Sequence, residues 1–204
     1  MCILVIKKKG VKFPEFSTIK QCCISNPDGF SYALYDNKEH KLHTFKTMNM
    51  QAFLDEYCRV MNEHDCLDTT MIIHARIATH GSKCVENCHC WTASLGKDKS
   101  IAFAHNGILS IKNRENLTDS ETFFRDIFVP IFKHYGWFEA ARAIKSIIGS
   151  SKFAFLDSKG NEKHFGHFIN DNGILYSNTS YLTPRLRFAS NPVISRFFCE
   201  AEDF

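Results

Sequence analysis

Met1-Cys2-Ile3-Leu4-Val5-Ile6 decides how the chain is read. A thiol at the second position runs straight into four apolar residues, three of them β-branched. Such an apolar run without polar alternation reads as a buried strand. The same stretch has a chemical meaning. Removal of Met1 leaves a thiol and a free α-amine on one residue, the amine titrating near ~7.7–8.0 and the thiol near ~8.5. That amine can take the thiol proton at neutral pH without a histidine. Cys2 is therefore either the first residue of a core strand or a nucleophile that carries its own base.

Working outward, Lys7-Lys8-Lys9 reads as a solvated turn and Lys7 to Phe16 as a loop. Ser17 is placed to cap a short helix to about Cys23. Asn26-Pro27-Asp28-Gly29 is turn chemistry ahead of an alternating strand, Phe30 to Tyr35, and a partner strand, His40 to Phe45. Phe53, Leu54, Tyr57, Val60 and Met61 have helical spacing, so Asn49 to about Asn62 is expected to be a helix. A strand over Met71 to Ile77 is followed by an irregular stretch, Thr79 to Lys99, and a strand over Ile101 to Ala104. Asp119, as cap, opens a phenylalanine-rich helix, and a second helix covers about Phe138 to Ile148. Phe153 to Leu156, Lys163 to Phe165 and Ile174 to Tyr176 then read as strands. Strands, two helices and strands again imply an α+β layered domain.

Length and composition agree with that. The 204 residues, 44% hydrophobic and 23% charged, suit one domain over 1–204, with residues 178–204 a loosely packed tail. A net charge of +3 is too mild to argue for nucleic acid or a membrane surface. No run approaches the ~20 apolar residues of a membrane span. The short apolar start, with its charges following it, does not fit a signal peptide. Nine scattered cysteines read as reduced thiols in a soluble, cytoplasmic protein.

Three stretches put polar or strained chemistry where strands end. In His74-Ala75-Arg76-Ile77-Ala78-Thr79-His80-Gly81, Arg76 sits on a strand that otherwise looks buried, so its guanidinium needs a carboxylate. The partner is either an internal Asp or Glu or a substrate carboxylate gripped by the planar fork. His105-Asn106-Gly107 is either a hairpin turn or an oxyanion pocket made by an amide side chain and a glycine N–H. In Thr118-Asp119-Ser120-Glu121, Asp119 is either a helix cap or the holder of a substrate ammonium beside Arg76.

Taken in order with Cys2 and Asn87-Cys88-His89, these stretches resemble the glutaminase domain of class II glutamine amidotransferases, which are N-terminal nucleophile hydrolases. The resemblance spans about residues 2–178, ending weakly at Tyr176-Ser177-Asn178, and looks closest to stand-alone members. It implies a four-layer αββα sandwich of two mainly antiparallel sheets between helical layers. It implies Cys2 as nucleophile with its α-amine as base, and Asn106 and Gly107 as oxyanion hole. Arg76 then binds the glutamine α-carboxylate and Asp119 the α-amino group, while Thr79, His80 and Gly81 line the pocket. Glutamine is hydrolysed through a Cys2 thioester to glutamate and ammonia, with no cofactor and no metal. Departures fall at Phe30-Ser31 and Cys90-Trp91, where many relatives carry Trp-Gly and Pro-Phe, and leave the roles above untouched.

Since the chain has no Walker loop and no dinucleotide fingerprint, the ammonia is expected to feed a separate synthase or ligase. Three alternatives stand beside that reading: a γ-glutamyl amide or peptide hydrolase without ammonia transfer, a catalytically inactive interaction module, and a zinc-binding module on Cys84, Cys88, His89 and Cys90. Among the histidines, His74 and His105 are expected to make structural hydrogen bonds.

Overall fold

The computed structural model describes residues 1–183 except His80, Asp98 and Asn116. In chain order, β1 (Ile3–Lys7) is followed by α1 (Phe16–Ser25), β2 (Phe30–Asp36), β3 (Lys41–Thr47), α2 (Met50–Glu63), β4 (Thr69–Ala75), β5 (Trp91–Gly96) and β6 (Lys99–Asn106). Then come α3 (Asp119–Thr122), a π-helical turn (Phe123–Phe128), α4 (Val129–Ile147), β7 (Lys152–Asp157), β8 (Glu162–Phe165), β9 (Ile169–Asp171) and β10 (Ile174–Tyr176).

Every residue of β1 is buried, and a strand with no polar face has to lie inside a sheet covered on both sides. It pairs antiparallel with β4 on one edge and β10 on the other. The strand order β3-β2-β4-β1-β10-β9 makes the first sheet, and β5-β6-β7-β8 makes the second. Alternation then sorts the side chains. Ile3, Val5, Tyr32, Leu34 and Ile73 face α1 and α2, where Ile19, Phe53, Leu54 and Tyr57 cover them. Leu4, Ile6, Ala33 and Ile72 face the second sheet, meeting Ala102, Ala104, Ala154 and Leu156. The far side of that sheet carries Phe103, Phe153 and Phe155 against Phe123, Phe124, Phe128 and Ile144. Alanines of the second sheet face aliphatic side chains of the first between the sheets, and phenylalanines dominate beneath the helices of the second sheet. The result is a four-layer αββα sandwich, and each buried phenylalanine contributes about 1.5–3 kcal/mol.

Several local expectations are corrected. Lys7 is no solvated turn. It is the last residue of β1, fully buried, with its ammonium bonded to the Cys66 and Thr69 carbonyls and to Thr69 Oγ1. Burial lowers that ammonium's pKa to about 8. Ser17 caps nothing: α1 starts at Phe16, after Glu15, with no side-chain cap. The stretch from Thr79 to Lys99 contains β5, whose alternation is broken by a register shift between Ser94 and Gly96. The cap of α3 is Thr118, which accepts the Glu121 N–H. Gly136, at φ 77°, interrupts α4, close to the expected boundary between two helices. Of the expected tail, Thr179–Tyr181 form a 3-10 turn capped by Asn178, with Tyr181 stacked on Tyr176 at 3.8 Å. Residues 184–204 lie outside the described residues. No helix among those described is long and apolar enough to cross a membrane.

Candidate active site

Cys2 immediately precedes β1, and the Ile3↔Ala75 register sets it beside the chain leaving β4. Its Sγ lies 3.3 Å from the Ile77 nitrogen and 3.4 Å from the Ile77 carbonyl oxygen. The Cys2 carbonyl accepts a 2.7 Å bond from Asn178 Nδ2. Burial pushes the thiol above its ordinary pKa, against the pull of the Ile77 bond and of the positive charges at the N-terminus and Arg76. With Met1 attached, then, the sulfur is a protonated thiol, and Met1 itself projects into solvent, 71% exposed.

Arg76 follows β4 and is only 3% exposed. Its backbone is fixed by the Asp28-Gly29 turn, since the Arg76 N–H donates to the Gly29 carbonyl and the Asp28 N–H to the Arg76 carbonyl, both at 2.8 Å. Glycine is required in that turn: φ is +133°, and a Cβ on Gly29 would sit 2.5 Å from Cys88 Sγ. Arg76 Nη1 donates to the Ser82 carbonyl at 2.9 Å. Asp28 accepts the Ala78 N–H and pairs with Lys83 at 2.6 Å. The Lys83 and Ala78 bonds hold its carboxyl below the usual range. Together these contacts fold the segment after Arg76 across the guanidinium.

Across the cleft, β6 ends in Asn106, whose Nδ2 donates to Ser177 Oγ at 2.8 Å. Ser177 Oγ also accepts the Leu4 N–H at 2.8 Å, and the Ser177 N–H donates to the Leu4 carbonyl. The chain after β10 thus ties the end of β6 to β1. At Gly107 φ is +149°, and a Cβ would lie 2.1 Å from Ser151 Oγ. Asp119, released from capping by Thr118, turns to the cleft wall. Its Oδ2 accepts the Leu109 N–H and its Oδ1 the Ser120 N–H, each at 2.7 Å.

Behind this wall lie three neutral histidines. His74 and His89 stack face to face at 3.8 Å, and His89 Nδ1 accepts the His105 N–H. Burial drives the pKa of His74 down to about 3, of His105 to about 4 and of His89 well below its ordinary value. His105 makes the expected structural bond, Nδ1 to Ser120 Oγ at 2.7 Å. His74 does not: its ring nitrogens have no hydrogen-bond partner, and packing holds it.

Of the residues singled out from the sequence, Cys2, Arg76, Thr79, Gly107 and Asp119 line one cleft. Asn106 is buried beside it, and the space a Gly81 side chain would take lies between Thr118 and Arg76. His80 lies outside the described residues. The cleft is narrow, about 30 Å³. Ser177 and Asn178 were given no role from the sequence, because nothing local marks a hydroxyl or amide as the partner of a strand some 170 residues earlier. Cys84, Cys88, His89 and Cys90 do not converge as a zinc module requires. His89 stacks on His74, Cys90 packs between the sheets, and Cys88 lies under Gly29 and Met48.

Comparison with known proteins agrees with the architecture. No curated protein sequence matches the chain. Among solved structures, glutamine phosphoribosylpyrophosphate amidotransferase from B. subtilis is similar at 17% identity and a TM-score of 0.50, over 89% of this chain and 42% of that one. The chain therefore spans about two fifths of that enzyme's length and shares its fold. A protein described as a glutamine aminotransferase class-II domain protein, from Silicibacter pomeroyi, is 18% identical over 86% of this chain and 87% of its own, with a TM-score of 0.44. The family model for class II glutamine amidotransferases matches residues 1–164. With most of its length matched and the αββα sandwich in place, the chain belongs to the class II glutamine amidotransferases.

Proposed function

We propose that the chain hydrolyses the side-chain amide of L-glutamine through Cys2 after Met1 is removed, and passes the ammonia to a separate synthase or ligase. The observation that carries this reading is the convergence of Cys2, Arg76, Gly107 and Asp119 on one cleft. Arg76 takes the substrate α-carboxylate in its fork, and the free oxygen lone pairs of Asp119 take the α-ammonium. The new α-amine of Cys2 removes the thiol proton, and the thiolate attacks the side-chain carbonyl carbon. Asn106 Nδ2 and the Gly107 N–H receive the oxyanion. Each such donor is worth about 2.7–4 kcal/mol of transition-state stabilisation. Collapse expels ammonia, which takes its proton from the α-ammonium of Cys2. Water then cleaves the thioester to glutamate, with the same amine as base.

Ammonia release from glutamine, measured on protein whose intact mass lacks Met1 and with a Cys2→Ala control, tests the reading. Turnover that disappears in Cys2→Ala supports it; no turnover by the processed protein, alone or with acceptor candidates, overturns it. Arg76 and Asp119 address only the α-groups, which any γ-glutamyl amide shares. Comparing glutamine with γ-glutamyl dipeptides therefore separates ammonia production from peptide hydrolysis.

A further inference from the structure

A second constellation of polar groups lies at the other end of the first sheet. Asp36 is six residues along β2 from Phe30, about 20 Å at the usual rise, and so well away from Cys2. Asp36 Oδ1 accepts the Lys38 N–H at 2.6 Å and the Glu39 N–H at 3.2 Å. That turn folds Glu39 back over the strand end. Asp36 Oδ2 lies 2.6 Å from His64 Nδ1, and His64 is the C-cap of α2. Glu39 Oε2 lies 2.9 Å from His43 Nε2, and the His43 and His64 rings are 5.7 Å apart. Two carboxylates and the His64 imidazole therefore meet in one place, with His43 flanking them through Glu39. Donor atoms of Asp36, Glu39 and His64 lie within 4.8 Å of one another, and they are the one such His/Cys/Asp/Glu group among the described residues.

Fold stability accounts for half of this arrangement. Asp36 and His64 are almost fully buried side chains that tie the β2–β3 hairpin to the end of α2. It does not call for Glu39 and His43, whose side chains are 53% and 28% exposed, to converge on the same point. The last turn of α2 also carries no basic side chain, so the negative end of its dipole is left facing this corner.

We propose that Asp36, Glu39, His43 and His64 bind a first-row divalent cation, with Zn²⁺ the best fit. Two imidazoles and two carboxylates form a four-donor set suited to tetrahedral Zn²⁺, and imidazole disfavours Mg²⁺ and Ca²⁺. Bonds of about 2.0–2.2 Å put tetrahedral donors about 3.3–3.5 Å apart. The buried Asp36–His64 pair has to open slightly, Glu39 has to close in from within 4.8 Å, and His43, which flanks the group through Glu39, has to rotate in beside it. Each imidazole ligates the ion as the neutral tautomer, through the nitrogen now facing its carboxylate and with its single proton on the other ring nitrogen. The cation pins the hairpin to α2 and takes no part in chemistry at Cys2.

The test is calorimetric titration of Zn²⁺, and in parallel Mg²⁺, into the full chain. The expected result is one equivalent of Zn²⁺ and no Mg²⁺ at the same concentration. His43→Gln and Glu39→Gln, both at partly exposed positions, should each weaken Zn²⁺ at least tenfold. With nine cysteines in the chain, Cys58→Ser and Cys84→Ser serve as controls and should leave the affinity unchanged. Absence of a bound equivalent overturns the proposal. So does an equivalent that survives both His43→Gln and Glu39→Gln, or one lost in either serine variant.

Discussion

Ser177→Ala removes the hydroxyl that holds the Leu4 N–H and Asn106 Nδ2, both at 2.8 Å. Leu4 is fully buried, so no water replaces the lost partner of its N–H. Leaving a buried donor unsatisfied costs about 1–3 kcal/mol, and urea unfolding should report a loss in that range. The second effect is on catalysis. Asn106 Nδ2 loses its bond to Ser177 Oγ, and its Oδ1 has no partner, so only packing then holds the rotamer of this buried side chain. Complete misplacement forfeits the whole donor, about 2.7–4 kcal/mol, or 10²–10³ in kcat; partial misplacement costs less. Glutamine hydrolysis should therefore fall mainly in kcat, with little change in KM, at temperatures where the variant is fully folded. If Ser177 acts through Asn106, then Asn106→Ala and the double variant should share one kcat, since coupled residues are non-additive. A Ser177→Ala protein with unchanged unfolding and unchanged kcat refutes the reasoning. Rate losses that add in the double variant refute the positioning role alone.

Arg76→Lys replaces a fork by a point charge, so KM for glutamine should rise several-fold or more while kcat changes less; an unchanged KM would count against the clamp. Gly107→Ala forces a Cβ to within 2.1 Å of Ser151 Oγ at a φ of +149°, and thermal melting should show a clear loss of stability, relieved in part by Ser151→Gly. Acid should destabilise the fold earlier than carboxylate protonation alone does. The folded pKa values of His74 and His105, about 3 and about 4, lie below the unfolded value near 6.5. The unfolded chain therefore binds more protons between those limits, and the neutral-histidine contribution, whole above pH ~6.5, is lost as pH falls towards 4. Each of these histidines steepens the stability–pH slope by up to about 1.4 kcal/mol per pH unit, which unfolding curves at successive pH values measure.

Much of the fold was legible where periodicity is undiluted. The apolar run of β1, the alternation of β2 and the helical spacing of Phe53, Leu54, Tyr57 and Val60 each admit one element, and each forms. Legibility failed where two good local choices compete. Thr118 and Asp119 are both favoured cap residues, and tertiary demand from the Leu109 N–H takes Asp119 elsewhere. Lys7 reads as solvated because charge is a surface signal; the carbonyls of Cys66, before β4, and of Thr69, its first residue, make its burial possible. At the candidate site, residues at strand ends drew attention for their own chemistry. Ser177 and Asn178 have none that is unusual, and only the pairing of β10 with β1 brings them to Asn106 and Cys2.

That pairing fixes when the site comes into being. Cys2 is synthesised some 175 residues before Ser177 and Asn178, which hold Leu4, Asn106 and the Cys2 carbonyl. At about 5–20 residues per second, about 10–35 s separate the two. Throughout that interval the nascent chain has the Cys2 thiol but lacks the residues that tether Cys2 and Asn106. A chain stopped short of β10 therefore carries Cys2 without the contacts that Ser177 and Asn178 supply to the cleft.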